Sequence, residues 1–85
     1  MPYRISQHAA AEMGRRGISE AEVSQAMANA PGAPSRDGLF VRQAIVGAYL
    51  IRVVVNPVTV PEVVVTAYRT SKLKKYGAKI GRAHV

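Results

Sequence analysis

The apolar positions of this chain follow two rhythms, and the change between them falls near Leu39. Upstream, apolar residues recur at three- and four-residue spacing, the period of a helix with one buried face. Residues 3–5 form a short extended opening. Ser6 then predicts the N-cap of a helix running to about Arg16, which Gly14 weakens and Gly17 ends. The stretch "GISEAEV" marks a second start. Ser19 and Glu22 have the Ser-x-x-Glu spacing of a capping box, and Ile18 and Val23 are placed to close an apolar staple across it. This helix is predicted to reach about Asn29 and to bury Val23, Ala26, Met27 and Ala30. "NAPGAPSRDG" follows as a loop, because its prolines and glycines break either period.

Downstream, β-branched runs predict strands over 39–46, 49–56 and 62–70, with turns at Gly47-Ala48 and "NPVTVP". The expected fold class is α+β. Two N-terminal helices pack on one face of a small antiparallel sheet of three to four strands. "TSKLKKYG" continues as a short basic helix or arm. Residues 1–76 form a single domain and 77–85 a flexible basic tail.

Strand side chains alternate between faces, so parity serves as a coordinate. In 49–56 the odd positions Tyr49, Ile51, Val53 and Val55 are apolar, whereas Arg52 lies among the even ones. In 62–70 alternation groups Val63, Val65 and Ala67 against Val64, Thr66, Tyr68 and Thr70. If both apolar sets face the helices, Arg52, Thr66 and Tyr68 share the opposite face.

Composition narrows the chemistry. Eighty-five residues suffice for one domain that hides roughly 60–65% of its unfolded surface. With no cysteine and two widely separated histidines, neither a disulfide frame nor a closed metal site is expected, and no cofactor is implied. The apolar runs are far shorter than the ~20 residues of a membrane helix, and the start lacks the apolar core of a signal peptide. The expectation is a soluble, cytoplasmic protein without membrane contact. The net charge is +7, and every acid lies at or before Glu62, while Arg69, Lys72, Lys74, Lys75, Lys79 and Arg82 follow it unopposed. Such one-sided charge suits a partner rich in phosphate or carboxylate, although small basic domains are often merely soluble.

Candidate groups follow from these placements. Arg52, flanked by valines, is suited to hold a phosphate in fixed orientation; the plainer reading lays its stem over Leu50 and Val54 with its head in water. His8 could transfer protons near neutrality or simply pair with Glu12 one turn on. Tyr68, Arg69, Thr70, Ser71, Lys72 and Tyr76, with Lys74 and Lys75, combine cations, hydroxyls and aromatic planes, the means by which single-stranded RNA is held. Arg15-Arg16 reads as a weaker patch, a solvated helix end. No P-loop, dinucleotide fingerprint, nucleophile elbow or paired carboxylates are present. An enzyme with this inventory would work through His, Arg, Lys and Tyr without metal.

"ISQHAAAEMGRRGISEAEV", "IRVVVNP" and "VVVTAYRTSKLKKY" together resemble a small bacterial domain of uncharacterised function that opens on Ser-x-His-Ala, passes an Arg-Gly-Ile-Ser turn and ends on a Val-Val-Thr-Ala-Tyr strand. The likeness covers residues 3–76. That domain is similar to the RelE/ParE toxin superfamily, and to its BrnT-like members in particular. The resemblance implies a metal-independent endoribonuclease toxin that cleaves RNA through its own 2′-hydroxyl and is neutralised by an acidic antitoxin or immunity protein. It also admits a module at the end of a secreted toxin, delivered to a target-cell cytoplasm. It implies His8, Arg52, Tyr68 and Arg69 as catalytic residues, with Thr70, Lys72, Lys74, Lys75 and Tyr76 binding RNA. The alternatives are a non-enzymatic nucleic-acid- or protein-binding module and a gyrase-directed toxin.

Overall fold

Local signals set the helices. The Ser6 Oγ accepts from the Ala9 amide at 3.0 Å, and α1 (Gln7–Arg16) runs until Gly17, whose φ of 67° makes the left-handed turn that stops it. At the start of α2 (Glu20–Ala28), the Ser19 amide donates to Glu22 Oε1 at 2.8 Å and the Glu22 amide donates to Ser19 Oγ at 3.1 Å. The predicted capping box is therefore closed in both directions, and Ile18 and Val23 beside it are buried. This computed structural model describes residues 3–28 and 33–72. The expectations for Asn29, Ala30, the basic arm beyond Lys72 and the tail lie outside the described residues.

Five strands form one sheet: β1 (Tyr3–Ile5), β2 (Ala33–Pro34), β3 (Phe40–Val46), β4 (Tyr49–Asn56) and β5 (Glu62–Thr70). Their order is β1-β5-β4-β3-β2, and β1 runs parallel to β5 while the other pairs are antiparallel. The expected meander of 39–46, 49–56 and 62–70 is its centre. Two short flanking strands extend it, so the sheet is mixed rather than antiparallel throughout. The first is the extended opening expected at residues 3–5, whereas the second interrupts the loop expected over "NAPGAPSRDG" and, at two residues, is too short to express alternation, so only its pairing with β3 reveals it. The Gly47-Ala48 turn joins β3 to β4, with Gly47 at φ 63°. In the β4–β5 loop, Asn56 Oδ1 accepts from the Val58 amide at 3.1 Å.

Both helices lie on one face, α1 against β5 and α2 against β3 and β4. Ala9 and Met13 of α1 and Val23 and Ala26 of α2 meet Ile51, Val53 and Val55 of β4, with Val64 and Ala67 of β5. Each fully buried aliphatic side chain here contributes about 1.5–3 kcal/mol. The odd positions of β4 face the helices as predicted. In β5 the expected set of Val63, Val65 and Ala67 is replaced by Val64 and Ala67, both fully buried. The cause is a bulge. Val54 pairs with Thr66 but Val55 pairs with Val64, so Val65 opposes no residue of β4 and the phase of the strand shifts by one.

Among the described residues, no helix is long and apolar enough to cross a membrane.

Candidate nucleic-acid interface

Downstream of the bulge, β5 keeps the phase that alternation predicts. Arg52 stands opposite Gln43 of β3 on one side and Tyr68 of β5 on the other, so the three side chains form a row across three strands. Arg52 Nε donates to Tyr68 Oη at 2.7 Å, and Nη1 donates to Gln43 Oε1 at 2.7 Å. The guanidinium carbon lies 5.8 Å from the Tyr68 ring centroid. All three residues are half-buried. Alternation places Val41, Ile45, Leu50 and Val54 around them on the same face, and Val41 and Leu50 are buried there outside the main core cluster. A planar cation set in apolar surroundings and held from both sides can present fixed donors to an anion. The Tyr68 oxygen, accepting from Arg52, keeps its own proton for another acceptor. Arg52 thus does more than trail its stem over neighbours, and Gln43 is a member of the row that the sequence reading missed; its cue was the register, which alternation along single strands does not supply.

Arg69 goes the other way. It pairs with Ile51 and turns to the helix side, where Nη1 donates to the Arg16 carbonyl at 3.0 Å and Nη2 to the Gly17 carbonyl at 2.9 Å. Glu22 lies 3.7 Å from it and the Tyr49 ring centroid 5.7 Å. It therefore satisfies carbonyls left open at the end of α1 and does not converge with Arg52. Arg42 plays the matching part for α2, donating to the Met27 carbonyl at 3.4 Å and pairing with Glu62 at 3.7 Å. These two residues also border a cavity of about 180 Å³ beside Tyr3 and α2.

His8 belongs to the helix layer as well. Its side chain is 71% exposed and its Nε2 is 3.9 Å from Glu12 Oε2, so it does not join the Arg52 row on the far side of the sheet. Thr70 follows Tyr68 on the Arg52 face by alternation, and its Oγ1 accepts from the Lys72 amide at 3.1 Å. Lys72 is exposed. Lys74, Lys75 and Tyr76 lie outside the described residues.

Arg16, read from the sequence as a solvated helix end, is tied to the sheet instead. Its Nη1 donates to the Ala67 carbonyl at 2.8 Å, and its Nη2 is 2.8 Å from Glu12 Oε1, an ion pair lying off hydrogen-bond alignment. Glu12 is buried, and its Oε2 accepts from Arg15. That hydrogen bond, with the charges of Arg15, Arg16 and His8, holds its carboxyl below the usual carboxylate range although burial opposes the shift. Glu22 is shifted the same way, chiefly by the hydrogen bond from the Ser19 backbone. Arg16, Thr66, Tyr68 and Arg69 line a broad groove of about 610 Å³. Among the described residues, no three His, Asp or Glu side chains gather as a metal site would require.

The profile of DUF4258, a domain of unknown function, matches residues 5–69, from the end of β1 to the penultimate residue of β5. The chain belongs to the DUF4258 family. No curated protein matches it, and no solved structure does. The matched span of the DUF4258 domain takes in His8, Arg16, Arg52, Tyr68 and Arg69, so the Arg52 row and the groove both lie within it. Lys72 and the basic residues after it fall beyond the match.

Proposed function

We propose that this domain binds single-stranded RNA on the Arg52 face and cleaves it there without metal, as a toxin-type endoribonuclease related to the RelE/ParE group. The observation that carries the reading is the Gln43–Arg52–Tyr68 row, a clamped guanidinium beside a phenol on the face away from the helices. The unopposed charge after Glu62 supports a polyanionic partner. In the proposed reaction, Arg52 binds a non-bridging oxygen of the scissile phosphate and stabilises the charge that grows on it. The RNA's own 2′-oxygen attacks phosphorus, its proton passing to water. Tyr68 gives its proton to the departing 5′-oxygen and is reprotonated from solvent. The products are a 2′,3′-cyclic phosphate and a 5′-hydroxyl end. An acidic antitoxin or immunity protein is the partner that this charge pattern favours.

The position of His8 supports a second reading, a binding module that leaves RNA intact, because no histidine of the described residues joins the row. Incubation of the purified chain with RNA in EDTA separates the two. Cleavage is expected for wild type and for His8→Ala, and loss of at least about 100-fold for Arg52→Ala and Tyr68→Phe, the scale of an electrostatic or acid contribution. RNA that is bound but stays whole would favour the module. Cleavage untouched by Arg52→Ala would remove the site.

A further inference from the structure

The Arg52 row ends at β5, and β5 is only partly covered on its far side. β1 pairs with Glu62, Val63 and Val64, so among the described residues the strand from Val65 onward has no neighbour on that edge. Arg16 lies across it. Its guanidinium is fixed between the Ala67 carbonyl and the buried Glu12 carboxylate, and Glu12 is itself held by Arg15. An arginine already clamped loses little side-chain freedom when it takes an anion. Two contacts engage only part of its five-donor fork, leaving N–H groups for a phosphate oxygen. The groove beside it draws on both faces of the strand: Thr66 and Tyr68 come from the Arg52 side, Arg69 from the helix side. Tyr68 belongs to both places, touching Arg52 through its hydroxyl and lining the groove with its side chain.

We infer that this edge groove is a second phosphate-binding station for single-stranded RNA, with Arg16 as its anion-binding group and Glu12 as the residue that positions it. The inference rests on the reading that the Arg52 face binds RNA, and it adds the path: the strand leaves Arg52, passes the Tyr68 ring and crosses the sheet edge to Arg16. Two features favour a nucleic-acid backbone over an added peptide strand. The Ala67 carbonyl, an acceptor that a pairing strand would need, is already taken by Arg16, a charged guard of the kind that keeps sheet edges from pairing. The lining combines guanidinium groups, hydroxyls and one aromatic plane, which serve phosphates, riboses and bases.

The test is a titration of the full chain with a short single-stranded oligonucleotide carrying 2′-deoxy sugars, which cannot be cleaved, followed by two-dimensional NMR. Side-chain Nε–H signals of Arg16 and Arg52 and the amides of Ala67 and Arg69 are expected to move together. Arg16→Ala is expected to weaken binding about tenfold, the scale of one charge-assisted hydrogen bond. It should also reduce the slope of log affinity against log salt by about 0.7, one phosphate contact on a single strand. Arg16→Lys, which keeps the charge beside Glu12 and loses the planar fork, should fall between. For the positioning role, Glu12→Gln and Arg16→Ala should overlap in a double-mutant cycle; strictly additive effects would overturn it. An oligonucleotide that shifts Arg52 but not Arg16, with Arg16→Ala binding at full affinity, overturns the second station and leaves the Arg52 reading standing. No binding by wild type removes both. An acidic peptide that moves Ala67 and Arg69 where the oligonucleotide does not assigns the edge to a protein and overturns the inference.

Discussion

Arg52 and Arg69 occupy adjoining strands one register step apart, and they put the same side chain to two uses. Arg69 faces the helices and ends on backbone carbonyls of α1, as Arg42 does on α2. Arg52 faces away and donates to the side chains of Gln43 and Tyr68. Backbone carbonyls at a helix end are fixed acceptors, so an arginine given to them becomes part of the scaffold. An amide and a phenol can turn, and an arginine held by them can exchange a partner for a ligand while the sheet stays as it is. Of these three arginines, Arg42 and Arg69 hold helix ends, whereas Arg52 lies on the opposite face between two side chains.

Substitutions on the two faces should separate stability from binding. The largest effect is expected from Ile51→Ala, which empties a fully buried position and should cost about 2–5 kcal/mol in urea unfolding. Its chain neighbour Arg52→Ala should change stability by about 1 kcal/mol or less while removing RNA binding; equal losses of stability at 51 and 52 would erase the distinction. Arg69→Ala should follow at about 1–3 kcal/mol, the range for hydrogen bonds to a charged group, with a loss of RNA affinity well below that of Arg52→Ala. A loss of affinity matching that of Arg52→Ala would return Arg69 to the site. The smallest effect concerns acid. Glu12 and Glu22 have folded-state values below normal, so their contribution is complete above the unfolded carboxylate value of about 4.3 and is lost as pH falls through the lower folded values. Tm measured from about pH 6 to about pH 2 should decline over that window, and less steeply in Glu22→Gln. An unchanged acid slope in that variant would remove Glu22 from the account.

Much of the fold was legible because its signals are local. Ser6 and Gly17 bound α1, the Ser19–Glu22 box opens α2, and alternation through β4 names the buried Ile51, Val53 and Val55. What escaped depends on pairing. Residues 3–5 were read as extended but not as the parallel partner of β5, β2 is too short to carry a period, and Val65 breaks the phase of β5 without any glycine or proline to announce it. The candidate site divides along the same line. Arg52 and Tyr68 were placed together by parity, whereas Gln43 needed the β3–β4 register and Arg16 needed the approach of α1 to a carbonyl fifty-one residues away. His8 and Arg69 were grouped with Arg52 by chemistry that sequence distance cannot check, and both lie on the helix side of the sheet, away from it.

The unpaired Val65 acts as a frameshift written in three dimensions. Before it the strand turns Val64 to the helices, and after it Ala67 takes that side while Tyr68 takes the side of Arg52, each half in its own reading frame. Removing that residue by deletion would merge the frames, so that either Val64 leaves the interior or Tyr68 changes sides. An engineer moving Thr66–Thr70 into a regular strand would therefore have to add or drop one position first, and a search for this row in another chain by simple alternation would have to change frame at the same place.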